Sequence, residues 1–411
     1  MNEADSGAPE PKPGSEAQSK TDDVPIVGIG ASAGGVDALR RLLHNLHPGC
    51  GMALVVVQHL DPAHESALAE ILSRGTDLPV TQIEDATAVM ADHVYVIPPN
   101  ASLSVSNGRL SLAALSGTRA HPNVVDEFFT SLAHDRGERA ACVILSGTGS
   151  DGTLGLRAVK ENGGLTVAQA DAEYDGMMRS AVATGLVDFM LRPEEIPASL
   201  VAYFQEATRA DDGIDEDAVR PETAGQLDQI TMLLRAQTGH DFSNYKERTI
   251  IRRVRRRMHV LHIEDVAAFI ERLRRDPREV SLLFQDLLIG VTSFFRDPDA
   301  FETLRRAVVP HLFEGKGPDD TIRVWVAGCA TGEEAYSIGI LLREGAPASG
   351  APKLQIFASD IDDHALDIAR IGRYPATIEK DVSPERLMRF FHREDGTYRI
   401  AIARNLFVLV A

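Results

Sequence analysis

The sequence predicts an α/β protein with a parallel sheet towards each end and an all-helical segment between them. Short β-branched runs alternate with amphipathic helical segments over residues 24–200, and the alternation resumes after residue 320. This pattern is typical of parallel strands joined by helices. Residues 226–310 have helical periodicity and no clear strand. A chain of 411 residues is long enough for several such domains.

Changes in composition divide the chain into five predicted segments. The N-terminal residues are polar and rich in Pro, Gly and Ser, which favours a disordered tail. A later acidic stretch has few large apolar residues and is expected to be a linker. The segments are a tail (1–23), a first α/β domain (24–205), a linker (206–225), a small all-α domain (226–310) and a partial Rossmann-like α/β domain (311–411).

The overall charge and the cysteine content narrow the classes of function. The chain has 42 Lys and Arg residues against 60 Asp and Glu residues, a net charge of −18, which argues against nucleic-acid binding. Its 3 cysteines have no paired spacing, so neither a disulfide framework nor a metal site is predicted. No apolar run is long enough to cross a bilayer. We therefore expect a cytoplasmic protein without membrane insertion.

The first predicted strand ends in a glycine-rich loop, VGIGASAGGVDAL at residues 27–39, that fits two kinds of site. A loose dinucleotide fingerprint, G-x-G-x-x-A, begins at Gly28, and a nucleophile elbow, G-x-S-x-G, is centred on Ser32. A dinucleotide site needs an acidic residue at the end of the second strand. That strand is followed by His59 instead, so the sequence favours the elbow.

Ser32, His59 and Asp151 are predicted to form a serine hydrolase triad. Each follows a predicted strand, and the carboxyl ends of parallel strands meet at one edge of a sheet. A serine nucleophile needs a base, and the base needs an orienting acid. His64 is a second candidate for the base. The alternative role of Asp151 is to cap the helix that begins just after it.

Three of these loops together resemble the catalytic domain of the chemotaxis methylesterases of the CheB family: IVGIGASAGG, VVVQHL and LSGTGSDGT. EYDGMMRSA at 173–181 is similar to the loop beside that family's substrate groove. The resemblance implies cofactor-free hydrolysis of γ-glutamyl methyl esters on receptors, with release of methanol. It assigns Ser32 as the nucleophile, His59 as the general base and Asp151 as the residue that orients the base.

A strongly basic helix is predicted at residues 242–261, FSNYKERTIIRRVRRRMHVL. Its apolar residues share one helical face, which a buried stripe explains. A buried stripe does not explain why arginines that repel one another crowd together. We expect them to bind an acidic partner, and we predict Arg252, Arg253 and Arg256 as the substrate-binding residues.

The last segment has the pattern of a nucleoside cofactor site. RVWVAGCATGEEAYSIGI at 323–340 predicts a strand, a glycine turn and a helix, and the next strand ends in Asp360, which is suited to ribose hydroxyls. No P-loop lysine follows, so a triphosphate is not expected. Together with TSFFRDP at 292–298, this motif resembles the CheR family of chemotaxis receptor methyltransferases.

That second resemblance covers residues 226–400 and implies a helical domain followed by an S-adenosylmethionine-binding domain that methylates receptor glutamates. It assigns Thr292 and Arg296 to the carboxylate end of the cofactor, Glu334 to a further cofactor contact and Asp360 to the ribose. The family continues with further strands after the point where this sequence ends. We therefore expect an incomplete cofactor pocket and a doubtful second activity.

The combined interpretation is a fusion of a receptor methylesterase and a receptor methyltransferase. Its expected partners are methyl-accepting chemotaxis receptors or similar sensory proteins. Two alternatives stay open at this point. One is a scaffold that binds sensory proteins without catalysis, and the other is a hydrolase that deamidates glutamine in the same receptor helices.

Overall fold

A computed structural model describes most of the chain, in ten ranges. The chain divides into two compact units, Met1–Leu283 and Phe284–Ala411, and each is described by itself. Among the residues described, no helix is both long and apolar enough to cross a membrane. The ranges are 24–58, 67–114, 123–211, 221–243, 245–288, 292–375, 378–379, 381–394, 397–401 and 406–410.

The first unit is built on a seven-stranded sheet. The unit's strands are β1 Ile26–Ala31, β2 Ala53–Gln58, β3 Val80–Gln82, β4 Thr87–Ala88, β5 His93–Val96, β6 Ala101–Ser106, β7 Arg109–Ala114, β8 Ala140–Ile144, β9 Leu165–Gln169 and β10 Phe189–Leu191. The sheet order is β10-β9-β8-β1-β2-β5-β3, and every pairing is parallel. The predicted parallel α/β sheet is therefore confirmed.

Helices cover both faces of this sheet because the central strands are apolar on both sides. One buried cluster includes side chains of the first, second and sixth helices, and another includes side chains of the third, fourth and fifth. The six helices are α1 Gly35–His44, α2 Leu68–Ser73, α3 Val124–Arg136, α4 Thr153–Glu161, α5 Gly176–Ala183 and α6 Ile196–Asp211.

A small antiparallel sheet, β4-β7-β6, lies beside the parallel sheet and was not predicted. Strands β6 and β7 form a hairpin whose turn contains Asn107 and Gly108, both with positive φ. An Asn-Gly pair between alternating strands is a strong hairpin signal. The sequence therefore contained the information needed to find this element.

The helical segment that follows contains α7 Pro221–Thr238, α8 Glu247–Leu261, α9 Val266–Arg275 and α10 Pro277–Leu288. Helix α6 extends into the predicted linker, and α7 begins inside it. The division between the two compact units falls within α10. Val260 of α8 belongs to the same buried cluster as β1, β2 and α1, so this helix packs into the core of the first unit.

The second unit has a three-stranded parallel sheet, β11-β12-β16, and a separate antiparallel sheet, β13-β15-β14. The predicted strands and helices around the glycine turn are present, whereas the antiparallel sheet was not predicted. The elements are α11 Pro298–Thr303, α12 Val309–Phe313, β11 Thr321–Ala327, α13 Glu333–Gly345, β12 Lys353–Ser359, α14 Asp363–Ile371, β13 Arg373–Pro375, α15 Pro384–Phe390, β14 Phe391–Glu394, β15 Thr397–Ile400 and β16 Leu406–Val410.

Helices α3 and α4 approach so closely that Gly155 of α4 has no room for a side chain. A Cβ atom there would lie 2.4 Å from the Cβ of Phe129 and 3.0 Å from the carbonyl oxygen of Asp126. Replacing glycine by alanine inside a helix normally stabilises it. We expect Gly155→Ala to lower the free energy of unfolding by about 1–3 kcal/mol instead, because the added methyl group overpacks the contact.

Gly225 of α7 provides the matched control for this substitution. In the part of the chain that the structure describes, no atom outside its own helical turn lies within 4 Å of the position that its Cβ would take. Gly225→Ala should therefore raise the free energy of unfolding by about 0.5–1 kcal/mol. Urea unfolding of both variants measures the two effects, and a stabilising Gly155→Ala would contradict the close approach of α3 and α4.

Candidate active sites

Ser32 directly follows β1, the central strand of the parallel sheet, and is half-buried. Its N–H donates to the carbonyl oxygen of Ser146 at 3.0 Å, and its own carbonyl oxygen accepts from the N–H of Gly35 at 3.0 Å. Gly34 has a φ of +74°, a conformation that glycine adopts without strain. The chain therefore turns sharply from strand to helix and presents Ser32 at the sheet edge, as a nucleophile elbow requires.

The loop after β8 lies against Ser32. A Cβ atom on Gly147 would be 2.9 Å from the Cβ of Ser32, so only glycine fits there. The buried Ser146 hydroxyl donates to the carbonyl oxygen of Ala33 at 2.9 Å and accepts from the N–H of Tyr174 at 3.0 Å. Ser146 thus links three loops around Ser32. No role is predicted for Ser146 from the sequence, although it lies within the LSGTGSDGT motif.

Asp151 lies in the connection between β8 and α4, and β8 is a direct neighbour of β1 in the sheet. Its Oδ2 accepts from the N–H of Val125 at 3.0 Å, and its Oδ1 accepts from the N–H of Asp126 at 2.9 Å. Asp151 therefore caps α3 as well as preceding α4. A carboxylate has about four lone-pair sites, so these bonds leave it able to accept from a histidine as well.

Asp126 is a polar residue of this region that sequence reasoning missed. It lies in the first turn of α3 and is buried, and its Oδ1 accepts from the N–H groups of Leu154 and Gly155, both at 2.8 Å. Burial, together with the negative charge of Asp151, raises the pKa of Asp126 to about 8. No local pattern marks this residue, because its partners lie on a different helix.

His59 and His64 lie outside the described residues, so their assignments as base stay predictions. The described residue before His59 is Gln58, the last residue of β2. Gln58 is the register partner of Ala31, which directly precedes Ser32. Its Nε2 also donates to the carbonyl oxygen of Ser32 at 3.3 Å. The strand that leads to His59 is thus joined to the strand that leads to Ser32.

The arginines of α8 differ from the prediction. Arg253 donates to the carbonyl oxygens of Lys160 and Glu161 at 3.2 and 3.1 Å, and it is buried. Arg256 is also buried and donates to Gly164 O and to the carboxylate of Asp188. The prediction that Arg253 and Arg256 bind an acidic substrate is therefore corrected, since their guanidinium groups are engaged inside the same chain.

Asp188 of the same chain explains part of the positive charge on α8, because it pairs with two of the arginines. This fully buried carboxylate pairs with Lys160 Nζ at 2.5 Å and with the guanidinium groups of Arg256 and Arg257. Burial alone would raise the pKa of Asp188, but the charges of Arg256, Lys160 and Arg257 outweigh it and hold that pKa well below its usual range. Arg252 is exposed, and its assignment to substrate stays a prediction.

We expect Arg256→Met to lower the free energy of unfolding by about 3 kcal/mol, because it removes one partner from a buried ion pair. The exposed Arg252 offers a matched control on the same helix, and Arg252→Met should change stability by less than about 0.5 kcal/mol. Urea unfolding measures both. Equal effects of the two variants would show that the buried pair with Asp188 is not the source of the loss.

In the second unit, Asp360 follows β12 beside the glycine turn that follows β11. Its Oδ2 accepts from the N–H of Ala330 at 2.7 Å, and its Oδ1 accepts from the N–H of Asp362 at 2.9 Å. Gly328 in the turn has a φ of +72°, and among the described residues no neighbour lies within 4 Å of the position that a Cβ atom there would take. The turn therefore borders open space next to a carboxylate, an arrangement that fits a nucleoside whose ribose hydroxyls donate to Asp360.

The other predicted cofactor residues lie around helix α13. The N–H of Phe295 donates to Ser337 Oγ at 3.1 Å, which joins the TSFFRD loop to this helix. Thr292 in that loop is half-buried and Arg296 is exposed. Glu334 lies in the first turn of α13 and is also exposed. The cofactor contacts of these three residues stay predictions.

Three families match successive parts of the chain. Residues 27–200 match the family described as CheB methylesterase. Residues 225–288 match the all-alpha domain of CheR methyltransferase. Residues 290–410 match the SAM-binding domain of CheR methyltransferase.

Several proteins share sequence with the chain. A Rhodobacter capsulatus protein, named as an uncharacterized 104.1 kDa protein, is 38% identical over 355 residues, which are 81% of this chain and 37% of that protein. The protein-glutamate methylesterase/protein-glutamine glutaminase 6 of Anaeromyxobacter dehalogenans is 36% identical over 193 residues, 44% of this chain and 55% of that protein. The chain thus spans about half or less of the length of these curated relatives.

A solved structure also matches the chain. It is the crystal structure of the catalytic domain of Thermotoga maritima CheB methylesterase, with 31% identity. The match covers 44% of this chain and 98% of that one, with a TM-score of 0.41.

Proposed function

We propose that this chain both removes and adds methyl groups on glutamate side chains of sensory receptors. It joins a CheB methylesterase domain to the all-alpha and SAM-binding domains of a CheR methyltransferase. The observation that carries the esterase half is the position of Ser32. It stands on a strand-to-helix elbow against Gly147, and the loop of the neighbouring strand brings Asp151 to the same sheet edge.

In the proposed esterase reaction, Ser32 Oγ attacks the ester carbonyl carbon while His59 takes the hydroxyl proton. The carbon–oxygen bond to the methoxy group then breaks, and His59 returns the proton to give methanol and an acyl-serine. Water, activated by the same histidine, hydrolyses the acyl-serine and restores Ser32. One ester and one water thus give one glutamate carboxylic acid, which ionises, and one methanol.

Asp151 has the role of orienting His59 in this proposal. Its two bonds from the N–H groups of Val125 and Asp126 fix its carboxylate at the start of α3. An acid held in this way keeps the imidazole in the tautomer that can accept the serine proton, and it stabilises the imidazolium that forms.

The region around Tyr174 is the proposed edge of the substrate groove. Tyr174 is 43% exposed, although its backbone is hydrogen-bonded: its N–H donates to Ser146 Oγ, and its carbonyl oxygen accepts from the N–H of Gly147. The Cδ2 atom of its ring lies 2.9 Å from the position that a Cβ atom on Gly34 would take. An exposed aromatic side chain so close to the elbow is well placed to contact a receptor helix beside the ester.

In the methyltransferase half, S-adenosylmethionine supplies the methyl group when it is bound. Asp360 would accept hydrogen bonds from the ribose hydroxyls of this cofactor. Thr292 and Arg296 would bind its carboxylate end, and Glu334 would make a further contact with it. Asp360 also holds the glycine turn in place through the N–H of Ala330, so the same carboxylate shapes the turn and binds the ligand. The arrangement in the second unit that supports this assignment is the space that the described residues leave at Gly328, beside Asp360.

A second candidate activity is deamidation of glutamine in the same receptors. The Anaeromyxobacter dehalogenans relative carries the name of a glutaminase as well as that of a methylesterase. Attack by the same serine on a side-chain amide would release ammonia instead of methanol. The two reactions use the same residues, so only the product separates them.

Ser32→Ala tests the esterase proposal. With a methyl-esterified receptor domain as substrate, we expect the parent protein to release methanol and the variant to lose about 10⁴–10⁶-fold in kcat. Ser73→Ala, which removes a hydroxyl from α2, is the control and should retain full activity. Folding of each variant is checked by circular dichroism.

Three outcomes of this assay have distinct meanings. Methanol from the parent and none from the Ser32 variant supports the proposal. Ammonia from a glutamine-bearing receptor domain, without methanol, favours the deamidase. If the folded parent releases neither methanol nor ammonia, the proposed enzyme activity is overturned and a non-catalytic scaffold is left.

Asp360→Asn tests the cofactor assignment. We expect the variant to bind S-adenosylmethionine about tenfold to a hundredfold more weakly, because hydrogen bonds to a charged group are worth about 1.5–3 kcal/mol. Isothermal titration calorimetry on the full chain measures the Kd. The control is Asp367→Asn on α14, where the carboxylate is exposed and pairs with Arg370. Unchanged affinity in a folded Asp360 variant would contradict the assignment.

A further inference from the structure

The N-termini of α3 and α4 cap each other through exchanged carboxylates. The first N–H groups of any helix have no partner within the helix and need an external acceptor. Asp151, which precedes α4, accepts from N–H groups of α3, and Asp126, on α3, accepts from N–H groups of α4. Each helix therefore depends on an acidic residue that belongs to the other.

Two glycines allow this close exchange. A Cβ atom on Gly152 would lie 2.8 Å from Val125 Cγ1, and one on Gly155 would lie 3.1 Å from the Cα of Asp126. The φ of Gly152 is +92°, which also requires glycine. The backbone around Asp151 is thus fixed from two sides. The Asp151 carboxylate is hydrogen-bonded to α3, and Asp126 is hydrogen-bonded to the first turn of α4.

We propose that Asp126 is a positioning residue for the esterase reaction, which acts by fixing the first turn of α4 and with it the carboxylate of Asp151. The inference rests on the proposed esterase function. Asp126 is buried beneath these helix termini, and its bonds go to the backbone of α4, so it acts through Asp151 and does not bind substrate.

The charged surroundings of Asp126 give this role a pH signature. Strands β1, β2, β6 and β8, which pack against α3, have no charged side chain. The negative charge that acts on Asp126 comes from Asp151. Lys160 of α4 is paired with Asp188. The charged or titratable residues on α3, on α4 and in the turn after α3 are Glu127, His134, Asp135, Arg136, Glu138, Arg139, Arg157, Lys160 and Glu161.

The sign of the pH effect follows from the raised pKa of Asp126, about 8. Below pH 8 the neutral acid predominates and can accept the two hydrogen bonds from the N–H groups of Leu154 and Gly155. Above pH 8 a buried negative charge forms on Asp126 and is repelled by the negative charge of Asp151. We therefore expect kcat of the parent to fall as the pH rises through about 8. The free energy of unfolding should fall as the pH rises from the ordinary carboxyl range up to about 8, where only the folded state holds the proton of Asp126, and should level off above it.

The test compares Asp126→Ala with Asp126→Asn in the methanol-release assay. The alanine variant loses the acceptor for Leu154 and Gly155, and we expect kcat to fall about tenfold to a hundredfold with KM within twofold of the parent. The asparagine variant keeps an oxygen acceptor of the same shape without a charge. It should recover kcat to within threefold at pH 7 and should lack the fall above pH 8.

Asp135→Ala is the matched control. Asp135 lies at the other end of α3 and also accepts from two backbone N–H groups, those of Asn107 and Gly108. Its loss should lower the Tm as the loss of Asp126 does, while kcat stays within twofold. The positioning role is overturned if Asp126→Ala retains kcat, if asparagine fails to rescue it, or if Asp135→Ala lowers kcat equally.

A readout without substrate separates this inference from the esterase proposal itself. Amide hydrogen exchange reports the N–H groups of residues 125 and 126, which donate to Asp151. We expect their protection to fall at least tenfold in Asp126→Ala and to return in Asp126→Asn. If the parent releases no methanol, the esterase proposal fails, and unchanged protection in the alanine variant separately overturns the link to Asp151.

Discussion

Parallel pairing of β1 with β8 on one side and β2 on the other is the constraint on which the first unit depends. All six residues of β1 are buried, so its backbone groups must be paired by neighbouring strands. Because all three strands run in the same direction, the loops that follow them emerge at one edge. Ser32, Asp151 and Gln58 owe their common location to this pairing. A side chain at position 34 or 147 would collide with neighbouring atoms, so glycine is required at both positions.

Buried charge is the second constraint. It joins the first α/β domain to the helical segment, which are predicted from composition as separate domains. A carboxylate such as Asp188 cannot remain ionised in a core without partners. Lys160 from the first domain and Arg256 from the helical segment supply them, and Thr166 donates further hydrogen bonds. The arginines of α8 therefore hold the helical segment against the first α/β domain, and Val260 extends the apolar core across the same contact.

Three carboxylates at loop or helix ends share one physical role in this protein. Asp126, Asp151 and Asp360 each accept from two backbone N–H groups, and each set of donors belongs to a loop or a helix start. Such bonds compensate N–H groups that secondary structure leaves unpaired. They also fix the direction of the carboxylate, which is the property that an orienting acid or a ribose-binding acid needs.

The sequence by itself determined the features that depend on local pattern. Alternation of β-branched runs and amphipathic helices predicted the parallel sheets, and glycine turns after strands singled out Ser32 and Asp360, because strand and helix periods and glycine conformations are properties of neighbouring residues. The Asn107-Gly108 hairpin was equally local and could have been found. Only the tertiary structure decided that Arg256 meets Asp188, 68 residues away, and that Asp151 caps a helix that begins before it. A charge pattern shows that a partner is needed, but the packing of distant elements decides which residue is buried beside it.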